Sequence, residues 1–352
     1  MKRRQQFHSL TALKGLFILV IVFHNTLAIH PLFDFIPGSS FVILFGGSLG
    51  NSMFFILSGF LLSYGYRERI SNGDISFQDY LMRRLCKLYP MYLITNVASL
   101  FIAVVQHGVS VINIKKIIFT LLLQIGGGLE SGNPYNSPTW FLSTLFVCYI
   151  SFFFVCFYVK KPTPYYCVLA FGIAWGYFLQ KSNLNAPFCY PSTGFGVMNF
   201  YIGCTLAESS LPRTSFQKCP WSQIICITVV LSSFYLMLRY GVEIICGDVA
   251  VAFSFLICPL ILYLSLAEGP CSKVLQRKPF VQLGEISLSI FFWHLPLYYV
   301  VELVQESFFP GSGIQEMQYL LYIIVLLIWS IFSNCIIEKN QCVLRNSSKI
   351  SS

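Results

Sequence analysis

The stretch "LGEISLSIFFWHLPL", residues 283–297, decides the class of fold, because it is almost wholly apolar and still contains Glu285, Ser287 and His294. A run of this kind fits the interior of a lipid bilayer, which a helix of about 20 mainly apolar residues can cross. Burying a polar group in an apolar medium without a partner is costly, so ionisable residues inside such helices are rare. The histidine near the middle of this stretch is therefore a candidate functional residue.

The composition of the whole chain indicates a polytopic membrane protein. Of its 352 residues, 56% are hydrophobic and only 11% are charged, and the mean hydropathy is +0.68. Soluble globular proteins carry about 25% charged residues, and here the deficit extends along the whole chain. The formal net charge of +9 does not indicate nucleic-acid binding, because the basic residues lie at the ends of apolar runs, where they determine topology.

The 13 cysteines give no sign of a disulfide framework or of a metal site. No two of them form a CxxC pair, and most lie in apolar stretches, so we interpret them as small hydrophobic residues. We therefore expect no metal and no permanently bound cofactor. The basic start "MKRRQQ" leads into an apolar run that no small-residue cleavage site follows, so we expect the first span to stay in the protein.

The distribution of lysine and arginine favours ten membrane spans with both termini in the cytoplasm. All but four of the 23 basic residues then fall on the cytoplasmic side, as the positive-inside rule requires. Counting residues 112–125 as an eleventh span would move many later basic residues outside, so we predict a re-entrant or outer-face helix there. The all-α membrane domain would comprise residues 1–340, before a short polar cytoplasmic tail at 341–352. The predicted spans are residues 10–29, 43–64, 91–106, 140–158, 164–180, 195–208, 221–238, 249–266, 283–303 and 318–337.

Two of the five histidines lie well inside predicted spans. His24, in "LTALKGLFILVIVFHNT", lies toward the outer half of the first span, about 15 Å along the helix from Lys14 near the cytoplasmic end. Ten positions leave these two side chains about 80° apart around the axis. His294 shares one helical face with Ser287 and Tyr298, which predicts the lining of a polar cavity. The alternative for either histidine is a hydrogen bond to a neighbouring helix that serves packing alone.

A basic cluster lies in "DYLMRRLCKLYP", residues 79–90, between the second and third predicted spans. Arg83, Arg84 and Lys87 fall within about one helical turn. One interpretation is an anchor at the cytoplasmic surface. The other is a site for the phosphates of a cytoplasmic ligand, since guanidinium groups bind phosphate through two parallel hydrogen bonds.

Two single residues give weaker signals. Ser58, in "NSMFFILSGFLLSYGY", precedes Gly59, and the pair would allow close packing between helices. Trp140, in "SPTWFLSTLFVCY", would anchor its span at the membrane interface. Taken singly, neither distinguishes one function from another.

Taken together and in order, the motifs resemble the integral-membrane acyltransferase 3 family over nearly the whole chain. These proteins are multi-span O-acyltransferases of bacterial surface polysaccharides. The resemblance implies an enzyme of the bacterial plasma (inner) membrane that moves an acyl group, usually acetyl, from cytoplasmic acyl-CoA to a carbohydrate hydroxyl at or beyond the outer face. It implies the stand-alone type, without an appended extracytoplasmic esterase-like domain. The matching stretches are "LKGLFILVIVFHN", "GNSMFFILSGFLLSYGYRERI", "FQDYLMRRLCKLYPMY", "WFLSTLFVCY", "FYIGCTLAE" and "LGEISLSIFFWHLP".

The resemblance also implies roles for particular residues. In the family, a basic residue precedes a histidine in the first span, and Lys14 and His24 occupy these positions. A basic pair follows the second span, where this chain has Arg84 and Lys87, with Arg83 as the neighbouring candidate. Acyl transfer needs a base for the hydroxyl proton, so we predict His24 as that base. The phosphates of CoA suit the basic cluster.

The other predicted site residues have less defined roles. We assign His294 to the acceptor or to the transition state, where donors for a developing oxyanion are needed. Two positions depart from the family pattern, because Ser52 and Leu145 stand where relatives often have Asp and Glu. A histidine–carboxylate pair therefore cannot be assigned from the sequence. The remaining polar or aromatic candidates are Ser58, Trp140, Ser287 and Tyr298.

The alternative function is a transporter or flippase for a lipid-linked saccharide, which would use the same cavity without acyl chemistry. Transporters often show an internal repeat or paired broken helices, and the sequence shows no repeat. A receptor or scaffold would have no evident use for the intramembrane histidines. As partners we expect acyl-CoA, a carbohydrate acceptor and the lipid bilayer, and no nucleic acid.

Overall fold

The fold is all helical in the part of the chain that the structure describes. No β-strand occurs in these residues, so the predicted all-α class is confirmed for them. The computed structural model describes residues 2–27, 39–209, 220–240, 248–310 and 316–338.

The helices begin and end at recognisable sequence signals. The third helix starts after Ser76, whose Oγ accepts a hydrogen bond from the backbone N–H of Asp79 at 3.1 Å, and it continues through Pro90. The ninth contains a π-helical segment, Phe253–Ile257. In chain order the helices are α1 (Lys2–Leu27), α2 (Ser39–Ser71), α3 (Phe77–His107), α4 (Ile114–Leu121), α5 (Trp140–Tyr158), α6 (Pro162–Lys181), α7 (Pro191–Glu208), α8 (Pro220–Tyr240), α9 (Val249–Leu266), α10 (Pro270–Leu275), α11 (Lys278–Glu285), α12 (Ser287–Phe308) and α13 (Glu316–Ser333).

Eight of the described helices are long and apolar enough to cross a membrane, judged by length and composition. They are α1, α2, α3, α5, α8, α9, α12 and α13, and each overlaps a predicted span. The other two predicted spans, 164–180 and 195–208, lie in α6 and α7, which are helical but do not meet that criterion. The count of ten and the cytoplasmic position of both termini stay predictions. The tail at 341–352 lies outside the described residues.

The segment 112–125 forms a short helix rather than a span. Helix α4 has 8 residues, and the side chain of Asn113 caps it by accepting from the backbone N–H of Lys116 at 3.0 Å. A helix of this length rises only about 12 Å and cannot cross the hydrocarbon core. The exclusion of this segment from the spans therefore agrees with the structure. Its position at the outer face stays a prediction.

The four basic residues that break the positive-inside pattern each have a partner. An ion pair or the face of an aromatic ring offsets part of a positive charge. The predicted topology puts these four residues on the side opposite the cytoplasm, where the positive-inside rule disfavours basic residues. Their partners offset part of that charge. The pairs are Lys115 with Glu130 (Nζ to Oε2, 2.7 Å), Lys116 over the Tyr135 ring (4.5 Å to the centroid), Lys181 with Asp248, and Arg239 over the Tyr240 ring (5.6 Å).

Helices α2 and α7 make the most extensive helix–helix contact in the described chain. A Cβ atom placed on Gly59 would lie 1.9 Å from the carbonyl oxygen of Phe200, and one on Gly203 would lie 2.1 Å from that of Ile56. The two backbones therefore touch at positions where only glycine fits, as is common where helices pack inside membranes. The predicted role of Gly59 in close helix packing is confirmed.

We expect Gly59→Ala to lower the melting temperature of the purified protein in detergent, because the added methyl group forces the two backbones apart. Overpacking of this kind costs about 1–3 kcal/mol. The matched control is Gly65→Ala in the same helix, since a Cβ there meets nothing within 4 Å. Equal melting temperatures for the two variants would show that the contact tolerates a side chain.

Candidate active site

A cavity of about 310 Å³ lies among α1, α2, α3, α5 and the junction between α11 and α12. Five predicted site residues line it, namely Lys14, Ser58, Arg84, Lys87 and Ser287. They come from four segments that are far apart in the sequence, so the fold alone brings them together. The basic residue of the first span and the basic cluster after the second span thus belong to one site.

The lining of this cavity has an excess of positive charge. Lys14, Arg84 and Lys87 all contribute to it, and the charges of the latter two lie close enough to Lys14 to interact with it. Glu285 is the one carboxylate in the lining that the structure describes, and none of the three cations forms a salt bridge with a described residue. Because neighbouring cations repel one another, the cavity favours an anionic ligand.

Arg84 faces the cavity, whereas Arg83 does not line it. The guanidinium carbon of Arg84 lies 4.5 Å from the centroid of the Tyr66 ring and 5.9 Å from that of Tyr149, in cation–π geometry. Its Nε is buried and makes no hydrogen bond within the described residues. Lys87 follows one turn later and lies on the same face of α3. The side chain of Arg84 is thus held by rings, which leaves an N–H donor unused.

The cavity becomes apolar with depth. Along α1 its lining runs from Lys14 to Ile21, about 10 Å toward the membrane centre. At that depth the ring of Phe141 packs against Phe54 and Phe291, with centroid separations of 6.4 and 6.0 Å. One end of the site is therefore cationic, and the other is bounded by aromatic rings.

His24 lies one turn beyond Ile21, on the side of α1 that faces α2. Its Nδ1 is 2.8 Å from the carbonyl oxygen of Ile43, so this nitrogen carries the proton and donates it. The Nε2 atom is then the one with a free lone pair. It lies against Gly47, where a Cβ atom would be 2.4 Å away. Lys14 lines the cavity, whereas His24 packs against α2 at Gly47 and is not part of the lining.

The two positions that depart from the family pattern supply no carboxylate to this region. Ser52 is fully buried, and its hydroxyl makes no hydrogen bond within the described chain. Leu145 is buried and lines the cavity. The observed partner of His24 is instead the backbone carbonyl of Ile43.

His294 is fully buried, and both of its ring nitrogens are engaged within the protein. Nδ1–H donates to the carbonyl oxygen of Phe291 at 2.7 Å, and Nε2 accepts from the side-chain amide of Asn25 at 3.0 Å. The backbone carbonyl of His294 also accepts from the Tyr322 hydroxyl at 3.0 Å. This arrangement favours a hydrogen-bonded packing role between α1 and α12. Sequence reasoning missed Asn25, although a polar amide beside His24 inside an apolar span was a usable signal.

The predicted polar face of α12 does not form one continuous cavity lining. Ser287, the first residue of the helix, lines the cavity. Tyr298 is fully buried and packs edge-to-face on Tyr322, with ring centroids 5.4 Å apart. The structure therefore brings Ser287 to the site and leaves His294 and Tyr298 in the packed interior.

Trp140 lies at a second pocket, of about 520 Å³, between the loops around residues 126–133 and 183–192. The Trp140 ring lies 6.4 Å from that of Phe55, which in turn lies 4.1 Å from Phe141 at the deep end of the cavity. The pocket also contains several polar groups. They belong to Ser131, Asn133, Asn183, Asn185, Tyr190 and Ser192.

A buried hydrogen-bond network of asparagine side chains supports the start of α5. Its residues were not predicted from the sequence. The side chain of Asn136 donates to the carbonyl oxygen of Phe292 in α12 at 2.8 Å, and its backbone N–H donates to Asn96 Oδ1 at 2.9 Å. Asn96 in turn donates to the Thr139 hydroxyl at 3.2 Å. The network ties α3, α12 and the N-terminus of α5 together beside Trp140.

A family model described as an acyltransferase domain matches residues 7–339, nearly the whole chain. The chain belongs to the acyltransferase 3 family. The resemblance inferred from the motifs is confirmed, and the protein is a multi-pass membrane acyltransferase. Neither the comparison with curated proteins nor the comparison with solved structures gives a match. The family match lends no support to a transporter of lipid-linked saccharides.

We expect Gly47→Ala to impair this acyltransferase, because the new methyl group would displace the His24 ring from its position. The measurement is the turnover rate of the purified variant, with its melting temperature in detergent as a check on folding. Gly65→Ala, further along the same helix and free of contacts, is again the control. Unchanged turnover in Gly47→Ala would show that the position of the imidazole does not matter.

Proposed function

We propose that this acyltransferase moves an acyl group, acetyl in particular, from cytoplasmic acyl-CoA to a hydroxyl of a cell-surface polysaccharide or lipid-linked saccharide in the bacterial plasma membrane. One observation carries the proposal. The cavity joins Lys14, Arg84 and Lys87 at one end to an apolar end at Ile21, one helical turn from His24. A ligand with phosphates at one end and a small reactive apolar group at the other fits this division.

The cationic end suits the phosphates of CoA. Arg84 and Lys87 would bind them through charge-assisted hydrogen bonds, and Lys14 would add a third positive charge deeper in the cavity. Ser58 and Ser287 line the same space and suit the amide groups of the pantetheine arm. The Ser287 hydroxyl already donates to the carbonyl of Gly284 at 2.7 Å, so its lone pairs remain to accept an amide N–H.

The chemical step would use His24 as the general base. Its Nδ1–H is held by the carbonyl of Ile43, which keeps Nε2 in the form that accepts a proton. Nε2 takes the proton of the acceptor hydroxyl while the hydroxyl oxygen attacks the thioester carbonyl carbon. The new C–O bond forms, the C–S bond breaks, and the imidazolium returns the proton to the departing CoA sulfur. The sum is one ester and free CoA from one alcohol and one thioester.

The pocket at Trp140 supports a carbohydrate acceptor. A sugar ring presents apolar C–H faces, which suit an aromatic surface such as Trp140 or Tyr190, and hydroxyls around its edge. The pocket supplies hydrogen-bonding groups for those hydroxyls, among them Asn133 and Asn185. The predicted topology puts its loops on the outer side, where a surface saccharide is accessible.

For His294 we propose a positioning role. Its hydrogen bond to Asn25 joins α12 to α1 at the residue that follows His24. Nδ1–H is held by the carbonyl oxygen of Phe291, and the Tyr322 hydroxyl donates to the backbone carbonyl of His294. His294 would thus fix the depth and rotation of α1, and hence the direction of the base, without exchanging a proton.

We expect His24→Ala to lower the release of CoA from acetyl-CoA, and the acylation of polysaccharide in a complemented deletion strain, by about a hundredfold or more. The variant loses the proposed base and its hydrogen bond to the carbonyl oxygen of Ile43. The control is His107→Ala, at the exposed end of α3. Full activity in His24→Ala would remove the assignment of the base.

We expect Arg84→Gln to raise the KM for acetyl-CoA about tenfold or more while kcat falls less, because a charge-assisted contact to the donor is lost in both ground and transition states. Arg83→Gln is a closely matched control, since it removes the same charge from the adjacent position outside the cavity. Equal effects in both variants would indicate that the cluster acts only as a surface anchor.

A further inference from the structure

The deep end of the cavity contains one polar side chain among apolar ones. Asn51, in α2, is half-buried and lines the cavity, whose nearby lining includes Ile21, Phe54, Phe141 and Phe291. Its amide forms no hydrogen bond with the residues that the structure describes, and it is not fully buried. The amide is therefore available to donate to and accept from a ligand in a part of the cavity that is otherwise apolar. This residue had no role in the sequence analysis.

The position of Asn51 relative to the base is fixed by close packing of α1 on α2. A Cβ atom on Gly50 would lie 2.4 Å from Ile21 Cγ1, and one on Gly47 would lie 2.4 Å from Nε2 of His24. Asn51 is four residues after Gly47, so it lies on the same face of α2, about 6 Å along the axis. A group held by Asn51 therefore lies one helical turn closer to the cytoplasmic end of the cavity than the His24 imidazole does.

Aromatic rings bound the space around this amide. Phe54 and Phe291 pack against Phe141, and Phe141 packs against Phe55 at 4.1 Å between centroids. Phe55 is fully buried, and the Trp140 ring of the outer pocket lies 6.4 Å from both Phe55 and Phe141. The cavity therefore ends on a layer of phenylalanines rather than on flexible chains.

We infer that this deep end is an acyl-binding subsite, in which the Asn51 amide donates to the thioester carbonyl oxygen and the rings of Phe54, Phe141 and Phe291 limit the acyl chain length. The inference rests on the proposed function. During attack by the acceptor hydroxyl, negative charge develops on the carbonyl oxygen as the C–O bond forms, and Nδ2–H of Asn51 stabilises it. The electron pair on this oxygen then re-forms the C=O bond as the C–S bond breaks, and the departing CoA sulfur takes the proton from the His24 imidazolium.

The chain-length test compares acetyl-CoA, butyryl-CoA and octanoyl-CoA with the purified protein, by release of CoA. Phe141→Ala should raise the ratio of kcat/KM for butyryl over acetyl about tenfold, since two further CH₂ groups gain apolar contact in the enlarged space. The matched control is Phe154→Ala on the same helix, where the ring is 41% exposed on the outside of the bundle. Its ratio should equal that of the unmodified protein. An unchanged ratio in Phe141→Ala would overturn the chain-length limit.

The second test concerns the amide. Asn51→Asp, which is nearly isosteric but has no N–H donor, should lower kcat for acetyl-CoA by about a hundredfold with KM changed less than about twofold. Asn51→Ala should behave similarly. A thermal shift induced by CoA alone, which has no acyl group, checks that each variant folds and still binds the nucleotide part. Full kcat in either variant, or a loss of the CoA-induced shift, would overturn the assignment.

These tests separate the subsite from the proposed function. If the unmodified protein releases CoA from none of the three thioesters, the proposed donor is wrong and the subsite falls with it. If the protein turns over acetyl-CoA and His24→Ala abolishes that turnover, the proposed function stands. Normal rates in the Asn51 variants together with unchanged ratios in Phe141→Ala would then remove the subsite alone.

Discussion

The hydrocarbon core of a bilayer offers no water to a polar group, and the arrangement of this protein follows from that constraint. Each intramembrane polar side chain needs a partner inside the helix bundle or a place on a cavity. His294 and Asn136 have partners, because both donate to backbone carbonyls of α12. Lys14 and Arg84 lie on the cavity instead. The structure thus contains both packed and cavity-facing polar groups, and Lys14 and Arg84 belong to the second kind.

The contact between α1 and α2 determines the position of His24, the proposed base. At Gly46, Gly47 and Gly50 a Cβ atom would lie 3.0 Å or less from a side chain of α1. The missing side chains let the two helices approach closely, and the same approach holds His24 over α2 and Ile21 beside Asn51. The packing of α1 on α2 positions both His24, the proposed base, and the deep end of the cavity. A shift of α1 would therefore move the imidazole and change the shape of the deep end together.

The sequence predicted the membrane class and the basic, serine and histidine candidates, because hydropathy and residue type are local properties. The motif resemblance preferred Arg84 to Arg83, but residue type and spacing alone do not separate the two. That choice depends on Tyr66 and Tyr149, which stack on Arg84 from other helices. Only Ser287 of the predicted polar face of α12 lines the cavity, because a helical face says nothing about what covers it. In the structure other helices cover its outer part.

Long-range partners explain the remaining misses. Asn25 bonds to a residue 269 positions away, and Asn136 to one 156 positions away. No periodicity within a single span contains that information. The offset between Lys14 and His24 is different in kind, because it concerns two residues of one helix, for which the geometry of α1 alone is sufficient.

The two intramembrane histidines, His24 and His294, have different hydrogen-bond partners, and we propose different roles for them on that basis. A proton acceptor needs one ring nitrogen fixed by a hydrogen bond and the other with a free lone pair. At His294 the side-chain amide of Asn25 in α1 donates to the second nitrogen, so both ring nitrogens are used in hydrogen bonds, one of which joins α1 to α12. At His24 the residue opposite is Gly47, which brings the helices together and has no group to bind Nε2. The proposal of His24 as the base therefore rests as much on the absence of a side chain at Gly47 as on the histidine itself.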